Sequence, residues 1–260
     1  MSSETITLEY DGPVAIMSNN RPEKHNAANN EMDDRLWEVL AELNAREGLR
    51  AVVWRGNGKS FSSGRDLTEL GGRPGGISDL EFIERGHRGT QQFFTLDAPI
   101  LVALKGWVIG GSFERSLLCD VRVAGEGARM RLPEVLHGVL PDTGGTARLV
   151  QMAGHGLAAD LALTGRILTA DEALRHGVVS RVVPDDQLDE TCLEMAHQIA
   201  KAPAFTVTMF RRNLARMVDP PVQESMRQEA ITQSLVFQSH DYAEMKAART
   251  EEREPKYRGR

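Results

Sequence analysis

Cysteine is nearly absent: the 260 residues hold two, Cys119 and Cys192. Both sit in apolar, helix-like surroundings, which reads as two buried reduced thiols rather than a disulfide framework or metal ligands. Basic residues are outnumbered, 31 Lys and Arg against 37 Asp and Glu, for a formal net charge of −6. That balance speaks against a nucleic-acid binder, while a few local cations could still meet an anionic small ligand. The longest apolar stretch, around Ile100 to Phe113, is broken by Lys105 and by glycines, so it is too short and too interrupted to span a bilayer. The N-terminal MSSETITLEYDG has no basic segment followed by an apolar run. No signal peptide is expected, and a cytoplasmic location is the default. The seven histidines are scattered, without the spacing of H-E-x-x-H. Neither a G-x-G-x-x-G turn nor a full P-loop is present. No metal and no dinucleotide is expected.

What remains is an ordinary globular composition, 41% hydrophobic, enough for a sizeable core. Thr5 to Tyr10 alternates like a strand, Asp11-Gly12 is a hairpin turn, and Val14 to Met17 reads as the return strand. The polar run RPEKHNAANNEM is a loop. Met32, Leu36, Val39, Leu40 and Leu43 then recur at helical spacing. Ala51 to Trp54 reads as a buried strand, and GGRPGG, residues 71–76, as the most flexible stretch, before a helix near Asp79 to Leu96. Pro99 opens a strand, Ile100 to Leu104, and Val121 to Ala124 and Val178 to Val183 are further strands. Helices are expected at about Gly145 to Met152, Ala158 to Leu163 and Ala170 to His176, and only helices from Gln187 onward. No repeat of fixed period is found. The pattern implies an α/β core over residues 1–200 and a helical region over 201–260.

Two glycine-bearing turns follow short buried strands: FSSGRDL, Phe61 to Leu67, and GWVIGGSFE, Gly106 to Glu114. Such turns leave backbone N–H groups unpaired, and a helix N-terminus favours negative charge. Two of them could aim two donors at one oxygen, as in an oxyanion hole. Tight backbone packing is the plainer reading of each. Glu114 lies among Ile109, Phe113, Leu117 and Leu118, where a carboxylate is costly to bury. Glu134 follows in LPEVLHG, and two carboxylates on one pocket can share acid–base work, although Glu134 alone reads equally as a surface residue. Asp142 in VLPDTGG reads as the N-cap of the next helix or as a further acid.

Four strings, GKSFSSGRDL, GWVIGGSFERSLLCD, LPEVLHGVLPDTGGTARL and LTGRILTADEALRHGVVSRVVP, resemble in order and spacing the enoyl-CoA hydratase/isomerase (crotonase) superfamily. The resemblance runs from NRPEKHNA to the YRGR ending. It implies a spiral of ββα units with a C-terminal helical region that builds trimers, often paired into hexamers. It further implies an acyl-CoA thioester substrate whose carbonyl is held by the backbone N–H groups of Arg65 and Gly111, with Glu114 and Glu134 flanking a water at the β-carbon. Lys24, Ala27, Ser63, Gly64, Asp66, Leu67, Thr68 and Gly110 match the region that cradles coenzyme A and the acyl carbonyl. Coenzyme A enters with the substrate, and no other cofactor is implied. The expected reaction is syn addition of water to a trans-2-enoyl-CoA. The alternatives are an isomerase moving a double bond with Glu134 or Asp142 as base, and a non-catalytic acyl-CoA-binding member.

The chain departs from the family pattern at Arg65, where a small residue is usual, and at Arg115, where an apolar one is usual. Ser112 and Phe113 also differ. The Arg65 side chain is expected to touch a coenzyme A phosphate or to narrow the acyl pocket. Arg115 is expected to face a subunit interface or to change the surroundings of Glu114.

Overall fold

The computed structural model describes residues 4–69 and 76–259. The stretch read as most flexible, residues 71–76, falls outside them apart from Gly76. Chain order is β1 (Ile6–Asp11), β2 (Val14–Asn19), α1 (Asn30–Ala45), β3 (Ala51–Gly56), α2 (Asp79–Thr95), β4 (Ile100–Leu104), β5 (Trp107–Ile109), α3 (Gly111–Leu117), β6 (Val121–Gly125) and β7 (Arg129–Arg131). Then come α4 (Gly145–Thr164), β8 (Leu168–Thr169), α5 (Ala170–Arg175), β9 (Arg181–Val183), α6 (Leu188–Ala200), α7 (Ala204–Phe237) and α8 (His240–Thr250).

The larger sheet runs β1-β2-β3-β4-β6-β9, parallel except for the β1–β2 hairpin. A second sheet, β5-β7-β8, lies beside it. Successive strands alternate between the two: β4 then β5, helix α3, β6 then β7, helix α4. The segment after β3 makes the same excursion, because Ser62 forms a parallel bridge with Val108 of β5. Each turn of the chain is therefore strand, strand, helix, wound as a spiral with a helical C-terminal region.

The core lies between these layers. Trp54 on β3 packs edge-on against Phe61 at 5.0 Å and stacks on Phe93 of α2 at 5.4 Å, geometries that aromatic quadrupoles favour. Its indole N–H is satisfied by Asn19 Oδ1 at 3.0 Å. The five apolar residues of α1 that set its periodicity, Met32 to Leu43, are all buried.

Two sequence expectations change. Val178 to Val183 is strand only over Arg181–Val183, because the N–H groups of Val178 and Val179 both turn back to the carbonyl of Ala173. The helices expected at 145–152 and 158–163 are joined in α4, across Gly154 with φ 82° and ψ 162°. Among the described residues no helix is long and apolar enough to cross a membrane. α7 returns along the core, where Arg211 reaches Asp120 Oδ2 at 2.9 Å and the carbonyl of Phe93 at 3.1 Å.

Candidate active site

The spiral brings equivalent positions of three successive turns side by side. Ser62 pairs with Val108, and Val108 pairs with Met130, all in parallel register. Just beyond these pairings, Arg65, Gly111 and Glu134 line one cavity. The two glycine turns read from the sequence thus meet, and Ser62 Oγ and Ser112 Oγ tie them together at 2.8 Å. At Gly110 the backbone has φ +60°, and a Cβ would lie 2.7 Å from Glu134 Oε1. The positive φ calls for glycine, and a Cβ here would push the Glu134 carboxyl aside. Gly64 lies as close to the second turn, since its Cβ would come within 2.9 Å of the Ile109 carbonyl oxygen.

Gly111 is the first residue of α3, so its N–H has no acceptor within the helix. Gly64 C=O and Asp66 N–H both bond Ala28, at 2.7 and 2.8 Å. Alternation along an extended segment therefore turns the Arg65 N–H the opposite way. Among the described residues neither N–H meets an acceptor. The far end of α3 is fixed by buried Arg122, whose guanidinium donates to the carbonyls of Cys119 and Val178, both at 2.7 Å, and of Ser116 at 3.3 Å. The bonds to Ser116 and Cys119 satisfy carbonyls that the helix end leaves unpaired, and the bond to Val178 ties that end to the segment before β9. Burial holds the Arg122 pKa down to about 10.

Glu114, in the first turn of α3, is 1% exposed. Its carboxylate receives the N–H groups of Gly145 at 3.1 Å, Asp142 at 3.2 Å and Thr143 at 3.4 Å. The closeness is enforced by Gly145, where a Cβ would stand 2.3 Å from the Glu114 Cα. Burial, and then the charge of Asp142, push the Glu114 pKa up to about 7 despite those donors. Glu134 has its Oε2 buried without a hydrogen-bond partner among the described residues. Burial first and the neighbouring Glu114 charge second drive its carboxyl well above the usual range. Both acids line a cavity of about 190 Å³, together with Gly111, Ser112 and Asp142.

Asp142 is not the N-cap of α4. That position is Gly144, with no side-chain cap bond. The backbone of Asp142 instead donates to Glu114 and accepts the Nε2–H of His87 from α2. Sequence reasoning missed His87, and it missed Glu229. From α7, Glu229 accepts the Gly144 N–H at 2.9 Å and the Ser225 hydroxyl at 2.7 Å. Burial and the Glu114 charge push its pKa up to about 7. No local pattern marks Glu229, since it lies 115 residues beyond Glu114.

The residues matched to a coenzyme A cradle gather at Asp66. Its carboxylate meets Arg21 at 3.3 Å and Lys24 at 3.5 Å, and it accepts the Thr68 hydroxyl at 2.7 Å. These bonds, the Thr68 hydroxyl first, hold its pKa down to about 2. Arg21 also donates to the Ala27 carbonyl, and Ser63 Oγ to the Lys24 carbonyl at 3.3 Å. Asp66 thus clasps the loop of residues 21–28 to the segment 62–68, while Leu67 and the Lys24 side chain face outward. The Arg65 side chain turns into the cavity wall, bonding Asp33 at 2.8 Å. Arg115 faces the same cavity, not Glu114: it donates to Asp33 at 2.7 Å and lies 4.8 Å over the Trp37 ring.

A spiral of ββα turns thus carries two acids on one cavity beside two N–H groups unpaired among the described residues, and comparison with known proteins identifies the family. The family model for enoyl-CoA hydratase/isomerase matches residues 9–260, and the chain belongs to that family. It is 33% identical to a probable enoyl-CoA hydratase of Mycobacterium tuberculosis, with 99% of each chain covered. It is 32% identical to the carnitinyl-CoA dehydratase of Salmonella typhimurium, over 99% of this chain and 100% of that one. An enoyl-CoA hydratase/isomerase crystal structure from Pseudoalteromonas atlantica superposes with a TM-score of 0.89 at 31% identity, covering 98% of this chain and 100% of that one.

A carboxyl whose folded pKa stands above its ordinary 4.5 binds more protons in the native than in the unfolded state. Its contribution to stability is therefore lost as pH rises from about 4.5 through the folded value. Glu134→Gln removes that loss. In thermal melts the variant should exceed the wild type in stability at pH 8 and match it near pH 4.5. Equal stabilities at pH 8 would contradict the raised carboxyl.

Proposed function

We propose that the protein is an enoyl-CoA hydratase, adding water reversibly and syn across the double bond of a trans-2-enoyl-CoA. The observation that carries this reading is the pair of buried Glu114 and half-buried Glu134 on one cavity, beside two backbone N–H groups that lack acceptors among the described residues. The thioester oxygen is received by the N–H groups of Arg65 and Gly111, where the α3 N-terminus adds its partial positive charge. Glu114, stabilised as an anion by three N–H donors, takes a proton from water as its oxygen attacks the β-carbon. Electrons of the double bond move toward the thioester oxygen, and the enolate is held by the two donors. Glu134, the carboxyl with the less stabilised anion, delivers a proton to the α-carbon on the same face. A proton passing from Glu114 to Glu134 restores the starting state.

Isomerisation needs a single carboxyl as base. The second, N–H-anchored Glu114 favours hydration. A non-catalytic role would follow if Arg115 neutralised Glu114, but Arg115 is engaged by Asp33. On the same reading, Lys24, Ala27, Ser63, Gly64, Asp66, Leu67 and Thr68 border the coenzyme A moiety and Gly110 borders the thioester. We assign the exposed Phe205, Phe210, Leu214 and Met217 of α7 to contacts between copies of the chain in a trimer or paired trimers.

With crotonyl-CoA, the enoyl-thioester absorbance should fall for the wild type. Glu114→Gln and Glu134→Gln should each lower kcat by about 10²–10⁴-fold. Wild-type-like turnover in either variant would sink the two-acid mechanism. Activity should also decline below about pH 7 as Glu114 takes up its proton. Gly111→Pro removes the N–H at a helix position that tolerates proline. It should cost at least about 10²-fold in kcat with the circular dichroism spectrum retained, and full activity would exclude the Gly111 donor.

A further inference from the structure

The cavity that receives the acyl chain is not built for a plain hydrocarbon. Arg65 and Glu114 belong to the reacting centre through a backbone N–H and a carboxylate. The Arg65 side chain, and Arg115 next along α3 from Glu114, both extend from there into the cavity wall and converge on one acid. Asp33 Oδ2 takes Arg65 Nη1 at 2.8 Å, and Asp33 Oδ1 takes Arg115 Nη1 at 2.7 Å. One carboxylate is shared by two guanidinium groups. Glu69 lies 3.5 Å from Arg65, so the fuller counter-charge sits on the Arg65 side.

Arg115 is 9% exposed. Of its three guanidinium nitrogens only Nη1 has an acceptor among the described residues, and Nε is buried without one. The Trp37 ring, 4.8 Å from the guanidinium carbon, holds its plane but supplies no acceptor atom. A buried donor left unmade costs about 1–3 kcal/mol. An alkyl chain filling this space would remove water from Arg115 and give nothing back. Nε is shut off from the cavity, so the donor that an oxygen on the acyl chain would meet is Nη2, which is not buried; sites built around such donors discriminate strongly against analogues lacking the oxygen.

We propose that Arg115, anchored by Asp33 and Trp37, is a specificity-determining residue that receives an oxygen-bearing group (hydroxyl, carbonyl or carboxylate) on the acyl chain beyond the β-carbon. This rests on the acyl-CoA reading of the site, and its test does not require turnover. Isothermal titration calorimetry compares saturated thioesters, which bind without reacting: butyryl-CoA against 4-hydroxybutyryl-CoA and succinyl-CoA. The wild type should bind at least one oxygen-bearing thioester tighter than butyryl-CoA by about tenfold or more, the equivalent of one hydrogen bond of about 1.4 kcal/mol. Arg115→Met should reduce that ratio below about threefold. Asp33→Asn, which keeps the shape but loosens the anchor, should reduce it in part, and thermal melts establish that each variant is folded. Butyryl-CoA binding as tightly as both oxygen-bearing thioesters, or a ratio unchanged in folded Arg115→Met, would overturn the proposal. A preference present in binding without any enoyl-CoA hydration would leave the subsite standing and overturn the hydratase reading alone.

Discussion

Three backbone N–H groups converging on the carboxylate of Glu114 are the constraint around which the site is organised. A carboxylate that is 1% exposed would be far more costly to keep without such donors. They come from one segment, residues 142–145, that must therefore lie within hydrogen-bond reach of α3. That closeness permits no side chain at Gly145 and sets where α4 begins. Glu229 holds the same segment from the other side through Gly144. Helix α7 of the C-terminal region thus takes part in positioning a group at the start of α3, and the site depends on how α7 docks.

The acids are stabilised unequally, and the inequality has a physical origin in their donors. Glu114 has three N–H groups to set against burial, whereas one oxygen of Glu134 has no partner among the described residues. Two nearby carboxyls of unequal anion stability titrate as a coupled pair, which suits one to take and the other to give a proton. The cavity wall beyond the acids is polar for a different reason. There the charges of Arg65 and Arg115 are set against those of Asp33 and Glu69, so polarity is conferred without a large net charge.

Much of the architecture was legible from residue pattern. The spacing of Met32 to Leu43 located α1, and the glycine pair at 110–111 located the start of α3. Glu114 stood out as a carboxylate in an apolar stretch. The three-residue strands β5 and β7 were not legible, because three residues are too few to display a period of two. Yet these strands set the register that joins the turns. The spiral repeats in geometry without repeating in residues, so no fixed sequence period betrays it. Pro220 and Pro221 would ordinarily break a helix. Here α7 continues through them, and contacts from α4 hold the preceding turn, through Arg148 to Asp219 and Gln151 to the Val218 carbonyl at 2.9 Å. Glu229 and His87 escaped notice because their importance is wholly tertiary.

The central claim is that two acids on one face of the substrate add water across a double bond while the thioester oxygen is held by backbone. The most direct measurement is the stereochemical course in deuterium oxide. Crotonyl-CoA is incubated with the enzyme, and the product is analysed by proton NMR and mass spectrometry. The account predicts a single diastereomer of 3-hydroxybutyryl-CoA, with the new hydroxyl at the β-carbon and the deuterium at the α-carbon added to the same face. A mixture of diastereomers, anti addition, or deuterium exchange without hydroxyl incorporation would contradict it.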